Sequence, residues 1–74
     1  MKDKEQDFVR LAEKRVRNAI RSIRLVRNLS NKSNYSYTDR DANRISRALQ
    51  DEVRGLRQAF RTGGKKVKNE FKLR

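Results

Sequence analysis

The chain has 74 residues and a formal net charge of +12, from 21 Lys and Arg against nine Asp and Glu. A chain this short forms one domain and buries only about 60% of the surface that its unfolded form exposes, which leaves little interior for an enzyme pocket. It contains no Cys and no His, so it lacks thiolate nucleophiles, imidazole bases, disulfides and the usual zinc ligands. We therefore expect a protein that is not an enzyme, uses no cofactor or metal, and binds a polyanion.

The apolar pattern does not indicate a membrane span. No apolar run approaches the roughly 20 residues that cross a bilayer, and the polar start, residues 1–7, lacks the apolar core of a signal peptide. The basic, amphipathic segments described below could also lie on a membrane surface. However, Trp is absent and the apolar positions are rich in Ala and Val, which is typical of a bundle core. We expect a cytoplasmic protein with no membrane partner.

A first amphipathic helix is predicted over about residues 3–28. Asp3, followed three residues later by Gln6, resembles a capping box at its start. Leu11 and Leu25 lie beside the apolar seam, where they either widen the apolar arc for a second neighbouring helix or are isolated surface leucines. The seam has alternating spacings of three and four residues and consists of Val9, Ala12, Val16, Ala19, Ile23 and Val26.

A second amphipathic helix is predicted over about residues 39–62. Thr38 and Asp41 form a capping-box pattern at its start, and the adjacent Gly63 and Gly64 are the expected stop signal. The glycine inside this helix, at position 55, either permits close approach of another helix or is tolerated. The apolar stripe consists of Ala42, Ile45, Leu49, Val53, Leu56 and Phe60.

The connector between the predicted helices covers about residues 29–37, where Asn, Ser and Tyr cluster and the helical periodicity stops. Its Asn-x-Ser tripeptides match the N-glycosylation pattern, but without a secretory signal we interpret these side chains as caps of local turns. A connector of this length predicts an antiparallel helical hairpin over residues 1–62. One hairpin covers only one side of each apolar seam, so we expect a homodimer that forms a four-helix bundle.

Residues 63–74 are predicted to form a flexible basic tail after the hairpin. Five of its residues are cationic and Glu70 is its single acid. Lysine acts as a mobile point charge toward phosphate, whereas the planar arginine fork suits a fixed geometry. The tail residues that we expect to contact a polyanion are Lys65, Lys66 and Lys68.

Cationic side chains are stacked along each predicted helix at spacings of three, four or seven residues, away from the apolar seam. Acids at ion-pairing distance are few, although Glu13 can pair with Arg17, and Asp51 can pair with Arg47 or Arg54. The remaining like charges destabilise a helix unless a strand of phosphates neutralises them. The sequence therefore predicts a nucleic-acid interface whose helical part consists of Arg10, Lys14, Arg17, Arg21, Arg24, Arg40, Arg44 and Arg47.

Two aromatic side chains, Tyr35 and Tyr37, lie among Asn and Ser in the connector. Either ring could stack on an exposed base. Alternatively, the rings cover the open end of the bundle while their hydroxyls remain in water, and we favour this second interpretation.

The sequence lacks the short turn of a helix-turn-helix and the signatures of zinc fingers, RNP motifs and GXXG loops. Two long antiparallel helices with arginine rows fit structured RNA or duplex DNA, contacted through the phosphate backbone. The expected outline is similar to that of the Rop family, dimeric helical hairpins that bind paired RNA loops. No residues of that family are matched, so the resemblance implies only that RNA is slightly favoured over DNA. The alternative function is a small basic helical subunit that docks on an acidic protein or within a ribonucleoprotein assembly.

Overall fold

The protein forms two helices in the part of the chain that the computed structural model describes, residues 3–64. Helix α1 spans Lys4–Arg27 and helix α2 spans Asp39–Thr62, with a short 3-10 turn, Asn28–Ser30, directly after α1 and no strand among these residues. The all-α class and the order helix, connector, helix are therefore confirmed. Both predicted helix ranges agree with the observed ones to within one residue. The predicted tail lies outside the described residues from position 65 onward.

Helix α1 begins at the N-cap Asp3. The backbone of Asp3 is extended, and the Asp3 carboxylate accepts a hydrogen bond from the Glu5 amide at 3.0 Å. The predicted capping box with Gln6 is not formed in this described turn, because the Asp3 carboxylate binds the amide one residue earlier. At the other end, Arg24 and Arg27 lie in the last turn, where the helix dipole favours cations. The helix therefore begins and ends close to the predicted positions, with a simpler cap than expected.

The connector after α1 is built around Asn31. The Asn31 side-chain oxygen accepts a hydrogen bond from the Ser33 amide at 2.9 Å, which is the local Asn cap predicted for this segment. The Asn31 carbonyl accepts further hydrogen bonds from the amides of Asn34 at 3.1 Å and Tyr35 at 3.0 Å. One residue therefore holds the backbone of the following four in a turn.

Helix α2 starts with the predicted capping box. The Thr38 amide donates to Asp41 Oδ2 at 3.0 Å, and the Asp41 amide donates to Thr38 Oγ1 at 3.1 Å. Each side chain thus satisfies a backbone amide that has no partner inside the helix. The pair of reciprocal bonds fixes the position at which α2 begins.

Helix α2 ends in a Schellman motif formed by the two glycines. The Gly64 amide donates to the Ala59 carbonyl at 2.9 Å, and the Gly63 amide donates to the Phe60 carbonyl at 3.4 Å. Gly63 has a φ of 71°, in the left-handed region that residues with a Cβ rarely adopt. The predicted stop signal is confirmed.

The described residues form two units, residues 3–36 with α1 and residues 37–64 with α2. Neither helix contains a buried residue. Val16 in the seam of α1 and Leu56 in the stripe of α2 each have 55% of their surface exposed. Periodic apolar side chains left in water favour further association, so the hairpin packing and the dimer stay predictions. Within residues 3–64, neither helix combines the length and the apolar character that a membrane span requires.

Candidate nucleic-acid interface

Helix α1 carries five cations in one row, called here the α1 row. Successive residues of a helix are rotated by about 100°, so spacings of four, three, four and three residues confine the row to an arc of about 80°. At about 1.5 Å of rise per residue, the row is about 21 Å long. It lies across the helix from Ala12 and Ala19 in the apolar seam. The α1 row consists of Arg10, Lys14, Arg17, Arg21 and Arg24.

Local interactions stabilise the two ends of the α1 row. Asp7 Oδ1 lies 3.6 Å from Arg10 Nη2, an ion pair that the sequence analysis did not anticipate. Arg24 lies in the last turn, where the helix dipole favours a positive charge. The middle of the row has neither an acidic partner among the described residues nor a favourable dipole, and consists of the exposed side chains Lys14, Arg17 and Arg21.

The predicted ion pair between Glu13 and Arg17 is not formed among the described residues. Their spacing permits contact, but holding two long exposed side chains together costs rotamer entropy and gains only about 0.3–0.5 kcal/mol. The Arg17 guanidinium therefore keeps its hydrogen-bond donors available for a bound anion.

Helix α2 carries a second row, which an acid interrupts. Asp51 Oδ1 lies 3.3 Å from Arg54 Nη1, so Asp51 pairs with Arg54 and not with Arg47, the other predicted partner. Arg40 lies in the first turn between two aspartates, where the dipole disfavours a cation. We expect this row to be the weaker anion site. The α2 row consists of Arg40, Arg44, Arg47, Arg54 and Arg61.

The two tyrosines of the connector differ in their surroundings. Tyr35 follows the turn around Asn31 and has 50% of its surface exposed. Tyr37 directly precedes the N-cap of α2, is half-buried and already has an interaction partner. The structure thus leaves Tyr35 as the more accessible of the two rings. The predicted tail contacts, Lys65, Lys66 and Lys68, lie outside the described residues.

Other cations contribute to the charge without belonging to either row. Arg15, Arg27 and Arg57 are exposed, but their positions lie outside the stacking pattern that predicted the two rows. Lys32 is the single charged residue of the connector. The net charge of the chain could have identified these four residues as candidate anion contacts, because a charge count does not depend on position around the helix.

Acidic side chains do not converge in the described chain, where no group of three or more Asp or Glu is placed to hold a metal ion. The chemistry of the described surface is that of exposed guanidinium and ammonium groups on rigid helices. Such groups donate hydrogen bonds to phosphate oxygens, and arginine can do so with two parallel bonds.

No family model, curated protein or solved structure matches this chain.

Proposed function

We propose that this protein binds nucleic acid, contacting the phosphate backbone of structured RNA or duplex DNA through the α1 row, with the α2 row and the basic tail as secondary contacts. The observation that carries the proposal is the middle of the α1 row. Lys14, Arg17 and Arg21 project from one face of a helix, and no acid among residues 3–64 pairs with them. A phosphate strand would remove their mutual repulsion and release its condensed counterions, which supplies most of the affinity in such complexes.

The proposed role is binding without catalysis, in regulation or in scaffolding of a cytoplasmic nucleic acid. RNA is slightly favoured over DNA. Because phosphate contacts carry no sequence information, the helical rows would recognise the shape and charge of the backbone. The alternative occupant of the rows is an acidic protein or a ribonucleoprotein assembly.

We further propose that the binding form is a homodimer in which two helical hairpins make a four-helix bundle. The exposed apolar seam of α1 and stripe of α2 support this proposal. In both helices the apolar face and the cationic row lie on different sides, so association through the apolar faces would leave the rows in water.

A charge-reversal experiment tests the nucleic-acid proposal. Arg17→Glu combined with Arg21→Glu replaces two attractive groups by two repulsive ones at the centre of the α1 row. We expect binding of a labelled duplex RNA or duplex DNA at low salt to be lost. We also expect the wild-type protein to lose about 10³–10⁵ in affinity between 50 and 200 mM salt if it makes 6–10 phosphate contacts. Fluorescence anisotropy with salt titration measures both.

Two controls distinguish the contribution of the α1 row to binding from the contribution of the total charge. Arg17→Lys combined with Arg21→Lys keeps the charge and should retain most of the binding. Arg15→Glu combined with Arg57→Glu makes the same charge change as the double reversal at two exposed positions outside both rows, and should weaken binding less. Circular dichroism checks that helicity is unchanged. Failure of the wild-type protein to bind duplex RNA, duplex DNA or a single strand at low salt would refute the proposal, and binding to an acidic protein instead would support the alternative.

A further inference from the structure

Residues 28–36, from the C-cap of α1 to the residue before Tyr37, present hydrogen-bonding side chains on a backbone that they order by themselves. The carbonyl and the side chain of Asn31 together accept three hydrogen bonds, from the amides of Ser33, Asn34 and Tyr35, at 2.9–3.1 Å. Two of these bonds join main-chain groups, and the third uses the Asn31 side chain. The side chains of Asn34 and Tyr35 take no part in these three bonds.

Several of those side chains are exposed and suited to nucleobase edges. Asn28 and Asn34 are exposed and make no recorded side-chain interaction within the described chain. Each amide offers two donors and one acceptor group, the combination that pairs with the donor and acceptor atoms of adenine. The segment contains no acid, and Lys32 is its single charge. A polyanion would therefore meet no repulsion on reaching it.

The residue that follows Asn34, Tyr35, carries an exposed aromatic ring. Tyr35 is held at its amide by Asn31 and has half of its surface in water. Every nucleobase has a face that stacks on such a ring, and unpaired bases can be turned out toward it whereas paired bases cannot. Tyr37 does not serve in this way, because it is half-buried and already engaged next to the N-cap of α2.

The cations of α1 lead into this segment. Arg24 and Arg27 occupy the last turn of α1, and the Asn28 amide donates to the Arg24 carbonyl, so the connector continues directly from the end of the α1 row. A strand whose phosphates lie along the row would reach the connector with its next nucleotides.

We infer that residues 28–36 form a nucleobase-binding site, called here the connector site, which takes an unpaired base, with Tyr35 stacking on the base and Asn34 bonding to its edge. The inference rests on the proposed nucleic-acid function and adds a preference for loops over continuous duplex. The ligand class is an unpaired base within a stem-loop, whether its backbone is RNA or DNA.

The test compares a fully paired duplex with a stem-loop of the same stem, in RNA and in DNA. We expect the wild-type protein to bind the stem-loop about 5–150-fold more tightly, the range that one stacked base supplies. Tyr35→Ala should abolish that preference and leave duplex affinity unchanged, whereas Tyr35→Phe should keep it. Asn34→Ala should reduce the preference for the stem-loop. Ser33→Ala is the control and should leave the preference unchanged, because Ser33 bonds to Asn31 through its backbone amide, which the substitution keeps.

A spectroscopic measurement gives an independent readout. The protein has two Tyr and no Trp, so Tyr37→Phe leaves Tyr35 as the only strong fluorophore. Stem-loop probes should quench its emission and duplex probes should not. Equal binding of stem-loop and duplex, or an equal loss for both with Tyr35→Ala, would overturn the connector site alone. Absence of binding to every probe would overturn the proposed function and the connector site with it.

Discussion

Asp51 is the residue that most limits the α2 row. Its carboxylate lies 3.3 Å from Arg54, with 58% of the Asp51 side chain and 76% of the Arg54 side chain exposed. An ion pair this exposed contributes less than about 1 kcal/mol to stability. Its effect on the proposed polyanion binding would be larger, because the carboxylate both pairs with one cation of the row and would repel a phosphate placed beside it.

Asp51→Asn should therefore strengthen nucleic-acid binding. The substitution frees Arg54 and removes a negative charge from the row, so the salt dependence should steepen by up to about 0.9 in the slope of log affinity against log salt. The free energy of unfolding should change by less than about 1 kcal/mol. Anisotropy titrations at several salt concentrations and thermal unfolding measure the two effects.

Glu52→Gln is the matched control for this prediction. It changes the net charge by the same amount, but Glu52 is rotated from Asp51 by about 100° around the helix and lies outside the α2 row. We expect a smaller gain in affinity. An equal gain from both variants would mean that binding responds to total charge and that the row has no special role.

At the level of the helices, glycine has opposite effects on stability at two positions of α2. Gly55 lies inside the helix, and apart from its chain neighbours and its own helix backbone, a Cβ added there would meet no atom of residues 3–64 within 4 Å, whereas Gly63 terminates the helix with a φ of 71°. Alanine is favoured over glycine by about 1 kcal/mol within a helix, but it is strained in the left-handed region.

Gly55→Ala should raise the helicity and the free energy of unfolding, by about 0.5–1 kcal/mol. Gly63→Ala should lower them by about 1–2 kcal/mol, because the Schellman motif needs a left-handed residue. Urea titrations followed by circular dichroism check both. A loss of stability with Gly55→Ala would instead support the first interpretation of this glycine, a close approach by another helix.

The sequence predicted the helix ends accurately because caps depend on neighbouring residues. Thr38 and Asp41, which lie within four positions of each other, determine where α2 starts, and Gly63 determines where it ends. The ion pairs were harder, since Asp51 has two arginines within reach and Asp7 was overlooked as the partner of Arg10. Spacing shows which side chains can meet, whereas rotamer preferences decide which do. The difference between Tyr35 and Tyr37 depends on the backbone path after Asn31, which composition does not reveal.

For the whole molecule, the exposed apolar faces decide how it is stabilised. The described helices bury no residue, and even the large aromatic side chain of Phe60 has 62% of its surface exposed. Most of the stability of a helix in a protein comes from packing of its apolar face. Stability should therefore depend on association of the apolar faces, within one chain and between two copies.

Leu49→Asp should disrupt that association. The substitution places a charge at the centre of the α2 stripe, and we expect loss of the dimer and a large fall in helicity. Gln50→Asp introduces the same charge at an exposed position one residue later, outside the stripe, and should leave both nearly unchanged. Sedimentation equilibrium at micromolar concentration and circular dichroism measure the outcome. A monomeric wild-type protein with cooperative unfolding would contradict the dimer.

The separation of the cationic row from the apolar seam on α1 has a consequence for how the protein responds to its surroundings. If the protein both self-associates through its apolar seam and binds a polyanion through the α1 row, the two events would use different sides of the helix and would not compete for surface. Electrostatic repulsion between like-charged copies would couple them, because a polyanion would relieve that repulsion and mobile ions would screen it. A rise in ionic strength would thus shift self-association and polyanion binding in opposite directions, favouring the assembled protein while releasing the bound polyanion.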